Sequence, residues 1–135
     1  MKYAPAISFV ALTVALLSGC TAESDPIPGF AGEPESPGTR LVVDGYPDDA
    51  EDPLPAGVRA FATDGQFTVV TMGSSSCPVV ADLADIDQER QIVTVDLTNA
   101  GGDVCTADSS PRTFVFEVDR DLSTFSVQTR NPDEG

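Results

Sequence analysis

The chain has 135 residues and a formal charge of -15, with no His, no Trp and a single Lys, Lys2. That length holds one small domain. So acidic a chain repels nucleic-acid phosphates, so nucleic acid is excluded as a partner. Downstream of Lys2 there is neither an imidazole to act as general base or zinc ligand nor a lysine for a Schiff base.

Met1-Lys2 opens the chain with a positive charge, and Ala4 to Leu17 is an almost unbroken apolar run of 14 residues. That is the length of the apolar part of an export signal and too short to span a bilayer. No later apolar run is long enough to span one either. The run ends in Leu17-Ser18-Gly19-Cys20, which resembles the bacterial lipobox: an aliphatic residue, two small ones, then cysteine. The resemblance implies a lipoprotein signal peptide over 1–19, cleavage after Gly19, and a diacylglycerol with palmitate-type chains on the Cys20 thiol. An ordinary secretory signal would instead leave Cys20 as an odd thiol in an oxidising compartment. Two acyl chains hold a soluble domain stably at a membrane, each buried methylene contributing roughly 0.8 kcal/mol. The expected address is the outer face of the cell membrane, with the membrane itself as one partner and an envelope protein as a possible second.

Residues 20–39 are rich in Pro, Gly and acid, including Pro26, Pro28, Pro34 and Pro37. So few apolar groups cannot offset ordering entropy, so the segment reads as an extended or disordered tether. Arg40 to Val43 suggests a short strand, and Tyr46 to Pro55 a loop or more linker. A β domain is expected over 40–130 and a disordered tail over 131–135.

From Val58 the signal is β. Val58 to Thr63 and Gln66 to Met72 flank Asp64-Gly65, a pair suited to a type I′ hairpin turn. Val79 to Ile86 reads as a strand entering a turn at Asp87 to Arg90, with a short helix as the alternative. Ile92 to Thr98 alternates and closes at Asn99-Ala100-Gly101-Gly102. Thr113 to Asp119 points Phe114, Phe116 and Val118 inward, Arg120 to Ser123 turns the chain, and Thr124 to Thr129 returns with Phe125 and Val127 inward. Short strands spaced in this way predict an all-β fold, a small antiparallel sandwich or barrel-like domain. Its expected core is Phe61, Phe67, Val69, Val93, Val95, Leu97, Phe114, Phe116, Val118, Phe125 and Val127.

With Cys20 lipidated, Cys77 and Cys105 form an even pair, and an exported domain of this size favours a disulfide between them; two buried thiols are the alternative. Gly73-Ser74-Ser75-Ser76-Cys77-Pro78 and Cys105-Thr106-Ala107-Asp108, followed by Pro111-Arg112-Thr113, stand out as loops. Together these segments, roughly Thr71 to Val118, resemble small uncharacterised lipoproteins of actinobacteria. The resemblance implies a secreted β domain with one disulfide, and implies no activity.

Bridging the cysteines would gather Ser74, Ser75, Ser76 and Thr106 near Asp108 and Arg112. One reading is a polar binding loop on a rigid scaffold. The plainer one is that hydroxyls and Asp108 cap turns while Arg112 pairs locally. Catalysis is poorly served. Gly-x-Ser-x-Gly and Ser-x-x-Lys are absent, and paired carboxylates would need a cleft that so small a domain barely accommodates. Asp82, Asp85, Asp87 and Glu89 are calcium-type oxygen ligands without the EF-hand pattern, better read as a solvated turn. No metal or cofactor is expected. The leading expectation is a non-enzymatic, lipid-anchored binding or accessory protein, and the alternative a small extracytoplasmic hydrolase using carboxylates or serine.

Overall fold

The computed structural model describes residues 27–45 and 57–134. The expected signal, Cys20 and the stretch 46–55 lie outside the described residues. The fold is all-β, two sheets packed face to face. The first sheet has the order β1 (Phe30–Ala31), β7 (Ser110–Glu117), β4 (Gln66–Gly73), β3 (Val58–Thr63), β2 (Thr39–Leu41). The second is β5 (Val79–Asp87), β6 (Ile92–Asn99), β8 (Ser126–Arg130). The ambiguous segment at Val79 is thus a strand. The expected tail instead carries a 3-10 turn at Pro132–Glu134.

Neighbouring strands run antiparallel except β6 and β8, which are parallel. Between them the chain crosses to the first sheet as β7 and returns, re-entering at the end where β6 began. Val43 bridges Val127 in parallel, with Val127 N–H donating to the Val42 carbonyl at 2.8 Å. The chain therefore switches sheets directly after β2, closing one corner of the sandwich.

The interior is built from Ala60, Phe67, Val69 and Phe114 of one sheet and Ala81, Val93, Val95 and Val127 of the other. Phe67 and Phe116 stack with centroids 6.1 Å apart, within the range of favourable ring pairs. Of the expected core, Leu97, Phe116 and Val118 are only partly buried, at its margin. Leu122, on the expected turn, is fully buried. The β3–β4 turn also departs from expectation. Only Gly65 of the pair has a positive φ, 83°, whereas a type I′ turn needs both central residues there.

The largest departure concerns 27–39, read from composition as tether. β1 and β2 lie at opposite edges of the first sheet, yet only residues 32–38 join them. Four strand spacings total about 19 Å, and eight Cα steps reach about 26 Å, so the link must cross the sheet almost straight. It crosses the outer face. The Thr113 hydroxyl donates to the Gly32 carbonyl at 2.7 Å, and Arg59 pairs with Glu33 at 2.5 Å. Thr113, Val70 and Arg59 are register partners facing away from the interior. Phe61, Thr68, Val70 and Thr113 share the outer face crossed by this strap and are buried, so β4 is covered on both faces. Phe61, expected in the interior between the sheets, lies on this face instead and is absent from the central cluster. Low hydrophobicity did not keep the strap residues free, because the sheet supplies the apolar surface and the partners that they lack.

Candidate functional site

The two loops singled out in sequence meet at one end of the sandwich, and strand register brings them there. Gly73 of β4 pairs with Ser110 of β7, and Val79 of β5 pairs with Asn99 of β6. Residues 74–78 and 100–109 each cross between the sheets from these paired ends, so they run side by side. Cys77 and Cys105 are joined by a disulfide, Cα to Cα 5.4 Å. Gly101 is needed beside it. At φ 129° a Cβ there would lie 2.6 Å from the Ser76 carbonyl oxygen and 2.9 Å from the Cys77 sulfur.

Around the disulfide the polar groups bond to one another. The Ser74 hydroxyl accepts from the Cys77 N–H at 2.9 Å and lies 3.3 Å from that of Ser76. Ser76 Oγ accepts from the Thr106 N–H at 2.8 Å. The Thr106 hydroxyl lies 3.2 Å from that of Ser76 and 3.3 Å from that of Ser75, and donates to Asp108 Oδ1. Asp108 also accepts from the Ser75 N–H, 3.2 Å at Oδ2, and from the Ser110 hydroxyl at 3.0 Å. Donation by Thr106 first, then Ser75 and Ser110, holds the Asp108 carboxyl well below the ordinary aspartate range.

Of the six residues expected in the loop site, Ser74, Ser75, Ser76, Thr106 and Asp108 come together. Arg112 does not join them. Its guanidinium donates to the carbonyls of Pro28 and Ile27, each at 2.7 Å, and of Gly29 at 3.4 Å. Arg112 lies in register between Thr71 and Ala31. It faces the β1 edge, where three backbone carbonyls accept from its Nε and Nη2. Sequence reasoning missed Ser110 as a partner of Asp108; its place two residues after an Asp in a polar loop was the available signal.

Behind the disulfide lies an open depression of about 410 Å³, lined by Gly73, Ser74, Val79, Asn99, Ala100 and Gly102 among others. It contains no titratable side chain.

Matched against protein-family models, curated proteins and solved structures, the chain finds no counterpart in any of the three.

The acidic turn is otherwise occupied. Asp87 accepts from the Arg90 N–H at 2.9 Å and from its guanidinium at 2.7 Å. These bonds, the backbone one foremost, lower its pKa. Asp82 and Asp85 lie along β5, opposite Asp96 and Thr94. Among the described residues no three metal-type ligands converge.

Proposed function

We propose that the chain is a lipid-anchored cell-envelope protein, held through Cys20 on the outer face of the membrane. Its β domain offers the disulfide-linked loops as a non-catalytic binding or accessory surface. The observation that carries the reading is the joining of Cys77 to Cys105 within a mutually bonded set of hydroxyls and one carboxylate. A disulfide is consistent with an oxidising, extracytoplasmic location. The address itself rests on the resemblance of Leu17-Ser18-Gly19-Cys20 to a lipobox, in keeping with that of the loops to actinobacterial lipoproteins.

The chemistry of the cluster favours binding over turnover. A nucleophilic serine needs a neighbour that takes its proton, and the carboxylate nearest these hydroxyls is a weak base because three groups donate to it. Fixed hydroxyls on a stapled loop instead suit recognition of a polar partner at little ordering cost.

Metabolic labelling with a fatty acid tests the anchor. Label should enter the full chain and be lost in Cys20→Ala; label persisting in that variant overturns it. A photocrosslinker at Ser75 in intact cells tests the surface. One discrete adduct, weakened by Asp108→Asn, is expected; the same adducts from a crosslinker on the far edge at Val42 would defeat the proposal.

A further inference from the structure

We infer that the β1–β7 edge is the side of the domain that rests on the membrane, with Ile27, Phe30 and Val115 in contact with lipid. This deepens the proposed function and rests on the anchor at Cys20.

The chain enters the described structure at this edge and is fastened there. Arg112 grips the carbonyls of Ile27, Pro28 and Gly29, and β1 pairs directly with β7. Only seven Cα steps separate Cys20 from Ile27. Fully extended they reach about 24 Å, and as a flexible chain their root-mean-square span is about 15 Å. A domain of roughly 100 residues has a radius of gyration near 13 Å, and so a diameter of about 34 Å. A link that short against a body that wide keeps the attachment edge toward the bilayer. The opposite edge, at β2, faces away.

The same edge exposes large apolar side chains. Ile27 is 40 %, Phe30 47 % and Val115 44 % exposed. Phe30 is the register partner of Thr113, and Val115 lies two residues further along the same face of β7. Phe30 and Val115 are thus diagonal neighbours, within reach of one another. Two observations with separate causes, the point of attachment and the apolar exposure, fall on one edge. Apolar side chains sinking into the headgroup boundary add to an acyl anchor. The net charge of -15 makes the favoured surface zwitterionic rather than anionic.

The chain has no Trp, so a single tryptophan is a clean reporter. Full-length protein carrying Phe30→Trp, Val115→Trp or Val42→Trp is purified from membranes and reconstituted into phosphatidylcholine vesicles containing brominated lipid. The first two should lose emission to the bromine and shift to the blue, while Val42→Trp, on the other edge, should do neither. All three sites are substantially exposed, and a cooperative thermal transition like that of the wild type verifies folding of each variant. The mass of the Cys20 peptide is read on the same samples. Lipid on Cys20 with water-like emission at both 30 and 115, or equal quenching at 42, overturns the docking face alone. A bare Cys20 overturns the proposed anchoring and this inference with it. A concentration-dependent blue shift without vesicles would assign the face to a second copy of the chain instead.

Discussion

The backbone N–H of Ser75 donates to the Asp108 carboxylate across 33 positions of sequence, at 3.2 Å to Oδ2 and 3.3 Å to Oδ1. Ser75 lies on the loop leaving β4 and Asp108 on the loop entering β7, so this contact ties the chain where it leaves one sheet to the chain where it returns.

Asp108→Asn should destabilise the domain at neutral pH, because an amide N–H₂ would meet groups that already donate: the Thr106 and Ser110 hydroxyls and the Ser75 N–H. The effect should depend on pH. The folded state lowers the pKa of Asp108 below the ordinary aspartate value of 3.8, so protonation favours unfolding. The stabilisation is complete above 3.8 and fades as pH falls toward the lower, folded value. Thermal unfolding followed by circular dichroism at stepped pH checks this. The gap between wild type and variant should narrow in acid; a gap of constant size would remove Asp108 as its source.

The disulfide should contribute more than any single polar contact. Cys77 and Cys105 are 28 positions apart. On the chain-entropy model, closing a loop of that length constrains the unfolded state by about 3–4 kcal/mol. For a domain of about 100 residues, each kcal/mol shifts Tm by about 4–8 °C. The Cys77→Ala, Cys105→Ala double variant should therefore melt at least about 12 °C lower by calorimetry. A shift of only a few degrees would mean that the strand register alone holds the loops together.

What was legible in the sequence followed short-range pattern. The alternation of Phe114 and Phe116 and the Asp64-Gly65 punctuation located β7 and the β3–β4 hairpin, and the two cysteines located the loop cluster. What was not legible depended on contacts between distant segments. Val70 is not among the expected core residues, yet it is fully buried, because residues 32–38 pass over it. Arg112 looked like a neighbour of the serines, but strand pairing turns it to the carbonyls of 27–29. Composition reports whether a segment can form its own core; it is silent on whether the segment can borrow another's.

The strap should be sensitive at Gly38. Its φ is 93°, and a Cβ would fall 2.4 Å from the Ala62 carbonyl oxygen. Gly38→Ala should cost at least about 1 kcal/mol, since alanine is strained at positive φ and the obstacle is backbone. Limited digestion with a glutamate-specific protease reads the consequence directly, because Glu35, followed by Ser36, lies on the strap. Cleavage there should quicken in Gly38→Ala, and also in Thr113→Val, which loses the bond to Gly32. Unchanged digestion in both would show that the crossing is held elsewhere.

Leu122 sits in the turn between β7 and β8, where the Phe125 N–H donates to its carbonyl at 3.0 Å and the Asp121 carboxylate caps Ser123 at 2.8 Å. A turn residue is ordinarily tolerant of change, but the side chain of Leu122 has no exposed surface and belongs to the central apolar cluster. Truncation removes its transfer free energy and leaves a cavity that β strands on two sheets cannot easily collapse to fill. Leu122→Ala should therefore cost about 2–5 kcal/mol. Val104→Ala makes the comparison, since Val104 is 87 % exposed on the Cys105 loop and its truncation should stay within about 0.5 kcal/mol. Urea unfolding separates the cases. Leu122→Ala should lower the midpoint with the slope unchanged, as expected when stability falls without a change in the surface exposed. Equal midpoints for the two variants would mean that the β7–β8 turn closes over the interior without plugging it.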